Sequence, residues 1–163
     1  MNGKLRNMTA VYLLHGDKIL FLFRQGSRVI ADSYVGAAGG HFETDELNDA
    51  KACVLRELRE ETGLSEEDIR DLRLRYVTLR FKNGEIRQNY YFFAHLDEPE
   101  KLHPSNEGRL EWVTYDRAAE LNMPLSAKYM MEHFLRVGKD TTALYGGITE
   151  ENGIDFRELR EFE

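Results

Sequence analysis

The sequence holds a single cysteine, Cys53, among 163 residues. One thiol excludes an intramolecular disulfide framework and fits a reducing, cytoplasmic setting, with Cys53 read as a small buried residue on a helix. Also missing is any apolar run of about 18 residues, so no transmembrane helix is expected. The opening residues Met1-Asn2-Gly3-Lys4-Leu5-Arg6 lack the apolar stretch of a signal peptide. Positive charge is short as well: 22 Lys and Arg against 29 Asp and Glu leave a net charge of −7, and the basic residues are scattered along the chain. Extended contact with a nucleic-acid backbone needs clustered Lys and Arg. Neither a nucleic-acid nor a membrane partner is therefore expected. A small phosphorylated ligand remains compatible with an acidic chain, because a bound divalent cation reverses the local field. Internal repeats and low-complexity segments are absent.

What is present is enough chain for one domain with a real core, expected to span residues 1–163. Thr9–Leu14 and Ile19–Arg24 are β-rich and flank the turn His15-Gly16-Asp17-Lys18. A short strand around Tyr34–Ala37 leads to Gly39-Gly40, read as a sharp turn that approaches a ligand or metal closely. A helix is predicted over Leu47–Thr62 and stopped by Gly63. Leu72–Phe81 and Ile86–Leu96 read as a hairpin about Asn83-Gly84. Arg109–Val113 reads as a strand, Tyr115–Leu121 and Ser126–Val137 as helices, and Glu151-Asn152-Gly153 as the turn of a last hairpin. Strands, helix, hairpins and helix in that order predict an α/β fold, a mixed sheet packed between helices.

The predicted Leu47–Thr62 helix carries the chemistry. At about 100° per residue, Glu57, Glu60 and Glu61 fall within an arc of roughly 100°. Carboxylates this close repel one another. Leu47, Ala50, Val54 and Leu58 form the apolar stripe, and Glu61 lies within ~60° of Leu58, with Glu57 at the margin. A carboxylate tucked toward a core edge needs compensation. Mg²⁺ supplies it, since this cation prefers carboxylate oxygens and water together with substrate phosphates.

The stretch from Gly40 through Leu64 resembles the Nudix box: Gly, five residues, Glu, seven residues, then Arg-Glu-apolar-x-Glu-Glu-x-Gly-apolar. Arg56-Glu57-Leu58-Arg59-Glu60-Glu61-Thr62-Gly63-Leu64 matches the second half at every fixed position, and Gly40, five residues and Glu46 match the first. Nine residues, not seven, separate Glu46 from Arg56, and the extra two are assigned to the loop before the helix. Ala38 stands where the family often has Pro, and Asp45 where it has Gly before the first Glu. Either Glu43 or Glu46 takes the first-Glu role.

The resemblance implies a Nudix fold and a Mg²⁺-dependent hydrolase (Mn²⁺ as a substitute) that cuts the diphosphate linkage of a small nucleotide-like substrate. It implies Glu57, Glu60 and Glu61 as metal ligands together with the Gly39 carbonyl. Arg56 would orient the glutamates through a charge-assisted pair with Glu43 or Glu46. Gly39, Gly40 and His41 would meet substrate, and a later glutamate would act as base. Glu107, between the turn formers Asn106 and Gly108, is preferred over Glu111 for that role. Neither the Pro common in ADP-ribose enzymes nor the Tyr common in dinucleoside polyphosphate enzymes stands at Leu79-Arg80-Phe81. The compact chain resembles MutT-like members acting on nucleoside triphosphates, oxidised ones such as 8-oxo-dGTP included, and is compatible with a homodimer. Non-catalytic Nudix-fold binding modules are the alternative, but these usually lose box glutamates that this chain keeps. His15, His95, His103 and His133 show no metal spacing, and Trp112 is read as core. Of the aromatic strand around Asn89-Tyr90-Tyr91-Phe92-Phe93, Tyr90 or Phe92 is the candidate for contact with a base, with plain core packing the preferred reading.

Overall fold

The computed structural model describes residues 2–28 and 31–163. The first hairpin joins β1 (Lys4–His15) to β2 (Lys18–Arg24), and two short strands follow, β3 (Ser33–Gly36) and β4 (Ala38–His41). Helix α1 (Ala50–Thr62) leads to the long hairpin β5 (Arg70–Lys82) and β6 (Glu85–His95). Asn83 and Gly84 close that hairpin with φ of 53° and 75°, the paired positive values of the turn that matches strand twist. Strand β7 (Arg109–Thr114), α2 (Tyr115–Ala118), α3 (Leu125–Arg136), β8 (Tyr145–Ile148) and β9 (Arg157–Glu158) complete the order.

The strands form one mixed sheet in the order β3-β2-β1-β6-β5-β8-β9, with β4 also paired to β1 and β7 to β2. β1 and β6 run parallel, as do β5 and β8, while the remaining pairs are antiparallel. Side chains alternate across a strand, so each face builds its own core. Val54 and Leu58 of α1 pack with Val11, Leu13, Leu20 and Phe92 on one face. Met130, Met131 and Phe134 of α3 pack with Tyr12, Phe21 and Phe93 on the other. Phe93 and Phe134 stack there, with centroids 4.1 Å apart. The sheet is thus held between helices. Among the described residues no helix is long and apolar enough to cross a membrane.

Several boundaries differ from the sequence reading. Helix α1 begins at Ala50 and not at Leu47, because the Asp49 side chain caps it by accepting from the Ala52 amide at 3.0 Å. Thr44–Glu46 make a separate 3₁₀ turn, and Leu47 is 57% exposed, outside the apolar stripe. Helix α2 stops at Ala118, and Glu120 and Leu121 continue in i→i+3 turns that donate to Arg117 and Ala118. Gly39 and Gly40 lie inside β4, opposite Ala10 and Thr9 of β1, and form no turn. They serve close approach instead: a Cβ on Gly39 would collide with the Thr9 backbone, and one on Gly40 with the Glu57 carboxylate.

Candidate active site

Strand β4 and helix α1 bring the box together. Gly63 ends α1 at φ 76° and donates its amide to the Arg59 carbonyl at 3.0 Å, turning the chain away once the acidic face is complete. Arg56 is the hub of that face. Its Nε and one terminal nitrogen form a fork on Glu46 at 2.8 and 2.9 Å. The other terminal nitrogen donates to Glu57 at 2.9 Å and to Glu60 at 3.2 Å, with Glu43 at 3.6 Å. A further bond of 3.1 Å reaches the His41 carbonyl. Of the two candidates for its partner, Glu46 receives the bidentate pair and is 5% exposed, while Glu43 stays outside hydrogen-bonding distance. The guanidinium beside Glu46 holds its carboxyl below the ordinary carboxylate range, burial opposing in part, and Glu46 in turn keeps Arg56 firmly protonated. Glu46 also accepts the Glu43 amide at 2.9 Å, which closes the 3₁₀ turn before α1.

Glu61 points the other way along the helix. It accepts the Gly39 amide at 2.9 Å and lines a cavity of about 250 Å³. Burial pushes its carboxyl up to about 8; the neighbouring Glu107 and Glu57 push in the same direction, and the Gly39 amide resists. Glu57 is raised too, by burial first, against the pull of Arg56. Glu107 stands within hydrogen-bonding reach of Glu61 and accepts from Arg24 at 2.8 Å. Glu111 is not part of this group: it faces Tyr34 and Arg109, at 3.5 and 3.2 Å. His41 is exposed beside Arg6, its Nε2 3.3 Å from the guanidinium, and burial with that charge lowers its pKa.

Among the described residues no three His, Cys, Asp or Glu side chains converge on a ready metal cage. The reason is local: Arg56 draws Glu57 and Glu60 toward itself, while Gly39 holds Glu61. The donor set nonetheless fits a hard divalent cation. Glu57, Glu60 and Glu61 offer only carboxylate oxygen, Gly40 leaves room for Glu57 against β4, and Glu61 lies among carboxylates with no ion-paired cation among the described residues.

The NUDIX domain family model matches residues 4–134. This chain belongs to the Nudix family. No curated protein is similar enough in sequence to match it. Among solved structures, a MutT protein from Bacillus halodurans is 25% identical, with 94% of this chain and 97% of that one covered at a TM-score of 0.64. A MutT protein from Methanosarcina mazei is 19% identical over 85% of this chain and 99% of that one, with a TM-score of 0.67. An Ap4A hydrolase from C. elegans, solved as a binary complex, is 16% identical over 85% and 99%, with a TM-score of 0.63. The last two share the fold alone. As a Nudix hydrolase the chain is of the class that acts on pyrophosphate bonds with a divalent metal.

Several residues of the Nudix cavity escaped the sequence reading. Arg6, Arg24, Arg80, Arg87, Asn89 and Tyr91 line it together with Glu61 and Gly39. Tyr90 and Phe92, the aromatic candidates, face the opposite side and join the α1 core. Period-two alternation in β6 separates the two sets, but strand pairing decides which set meets the cavity. Trp112 packs at the edge of the α1 core, and His133 is buried with its Nδ1 2.8 Å from the Tyr76 hydroxyl. His15 Nδ1 meets the Leu96 carbonyl at 2.8 Å. Cys53 is fully buried, 3.3 Å from the Thr9 hydroxyl, and burial raises its thiol pKa.

Proposed function

We infer that this Nudix hydrolase cleaves the diphosphate linkage of a nucleoside triphosphate or another nucleoside diphosphate derivative with Mg²⁺. One observation carries the reading: Glu57, Glu60 and Glu61 stand within five residues of α1, and Glu61 borders a cavity large enough to receive part of a nucleotide. MutT proteins and an Ap4A hydrolase among the structural neighbours favour such substrates. Glu57, Glu60 and Glu61, with the Gly39 carbonyl, would hold Mg²⁺, or Mn²⁺ in its place. When bound, the ion supplies positive charge against the phosphate oxygens and lowers the pKa of the attacking water. Arg56 keeps the box rigid through Glu46 and leaves two of the three ligands oriented on one side of the helix. Gly40 lets β4 approach α1 closely and Gly39 lets it approach β1, while His41 lies next to Arg6. Glu107 takes the proton of the attacking water; it accepts at 2.8 Å from Arg24, which lines the cavity.

The test is release of phosphate or pyrophosphate from a panel of nucleoside triphosphates, oxidised ones included, and nucleoside diphosphate derivatives with Mg²⁺. Glu61→Gln keeps size and removes charge, and is expected to lower kcat by a factor of about 100 or more, in line with losses of groups that act on the transition state. Glu107→Gln is expected to lower kcat and abolish the acidic limb of its pH profile. Near wild-type turnover by Glu61→Gln would refute the metal-site reading. If wild-type protein binds these nucleotides and turns over none, the chain is a binding module.

A further inference from the structure

The floor of the cavity beyond Glu61 is built in rows across three strands. Register pairs Arg6 of β1 with Arg87 of β6, and Arg87 with Arg80 of β5. Three guanidinium groups therefore stand side by side on the α3 face of the sheet. The row nearer Glu61 is Met8, Asn89 and Thr78; the row beyond the arginines is Lys4, Glu85 and Lys82. Like charges opposite one another across strands repel. Here Glu85 alone faces them, at 3.3 Å from Lys4, 3.4 Å from Arg87 and 4.0 Å from Arg6. Five cations against one carboxylate make a basic patch on a chain of net charge −7.

The hydrogen-bond accounts are open as well. The Nε atoms of Arg6 and Arg87 are buried and have no hydrogen-bond partner among the described residues. Arg80 lines the cavity with no ion pair or hydrogen bond among the described residues, and neither has the Asn89 amide. Buried guanidinium donors left unmatched are costly, and a phosphate offers acceptors in the geometry of their fork.

We propose that Arg6, Arg80 and Arg87 bind a second phosphate of the substrate, a phosphomonoester carried away from the diphosphate that is cut. This rests on the reading that the diphosphate lies at Glu57, Glu60 and Glu61. Gly39, which anchors Glu61, pairs with Ala10, four residues along β1 from Arg6. That is roughly 13 Å at about 3.3 Å per residue, shortened by the reach of the arginine side chains toward the cavity. The span fits one nucleoside unit lying past Asn89, with its diphosphate at one end and a phosphate on its sugar. The substrate class is thus a nucleotide diphosphate derivative that carries an additional sugar phosphate.

Matched probes test this directly: NADPH with NADH, and coenzyme A with dephospho-coenzyme A, each pair differing by one phosphate on the adenosine ribose. Binding is measured by calorimetry in EDTA, where no turnover occurs, and hydrolysis separately with Mg²⁺. The phosphorylated member of each pair is expected to bind about 10-fold or more tightly, as for a charge-assisted contact. Arg80→Gln, which breaks no side-chain hydrogen bond or ion pair among the described residues, is expected to cut that ratio several-fold, and Arg87→Gln to bring it near one. Equal affinity within both pairs overturns the proposal, and so does a ratio unchanged in both variants. A short single-stranded RNA that binds more tightly than NADPH and loses this in Arg80→Gln also overturns it, in favour of a macromolecular polyanion. A preference for the phosphorylated members without hydrolysis of any probe supports the arginine site while refuting the diphosphate reading.

Discussion

Arg56 makes polar contacts that no single neighbour accounts for: a fork on Glu46, single contacts to Glu57, Glu60 and the His41 carbonyl, and longer approaches to Glu43 and the Cys53 sulfur. It ties α1 to β4 and to the 3₁₀ turn between them. Removing one member of a buried, hydrogen-bonded ion pair leaves the other charge stranded. Arg56→Ala is therefore expected to cost about 3 kcal/mol of stability as well as activity. A double-mutant cycle with Glu46→Ala, read by denaturant unfolding, is expected to show coupling above about 1 kcal/mol. The same cycle with Glu43→Ala is expected near zero. The reverse order would reassign the brace. Within the box, residue types at fixed spacing were enough to name Arg56 and its two possible partners. The choice between Glu43 and Glu46 follows from the 3₁₀ turn that tucks Glu46 inward and leaves Glu43 facing out.

At the scale of elements, two glycines let β4 lie close to both of its neighbours, Gly39 against β1 and Gly40 against α1. The two positions fail differently. A Cβ on Gly39 meets the backbone of Thr9, which cannot yield without breaking the β1–β4 pairing. A Cβ on Gly40 meets the end of the Glu57 side chain, which swings away at little cost. Gly39→Ala is expected to lower Tm sharply, and Gly40→Ala to leave Tm within a few degrees while weakening Mg²⁺ binding through displaced Glu57. Thermal unfolding and metal titration of both variants check this; equal loss of stability in the two would refute the distinction. The paired glycines were visible as a signal for close approach. Their placement in a strand was not, because nothing local distinguishes a turn from a tightly packed strand until β1 lies alongside.

For the whole molecule, the carboxylates at the cavity couple stability to pH. Glu61 takes up its proton near pH 8 in the folded chain against 4.5 as its ordinary value, so between those limits the folded state binds more protons than the unfolded one. Stability contributed by protonated Glu61 is full below about 4.5 and is lost as pH rises toward about 8. Metal-free protein is expected to lose Tm over that window, Glu61→Gln to lose much less, and Mg²⁺ to offset the loss by binding the ionised form. Tm against pH in EDTA and in Mg²⁺ measures it. A Glu61→Gln curve parallel to the wild type would sink the assignment.

The box and the alternation of its flanking strands were legible in the sequence because they depend on near neighbours: helical phase gathers Glu57, Glu60 and Glu61, a glycine ends the helix, and Asn83-Gly84 closes a hairpin. Those features hold wherever the segment sits. The basic residues read as scattered because Arg6, Arg80 and Arg87 are far apart along the chain, yet the parallel β1–β6 and antiparallel β6–β5 registers set them in one row. Tyr90 and Phe92, the residues named for contact with a base, turn out to face α1, since a strand's two faces are equivalent until a helix covers one. Burial of Val54 and Leu58 against Phe92 assigned that face to α1 and left Asn89 and Tyr91 to the cavity. Local pattern determined the acidic helix; long-range pairing alone decided what lines the cavity beside it.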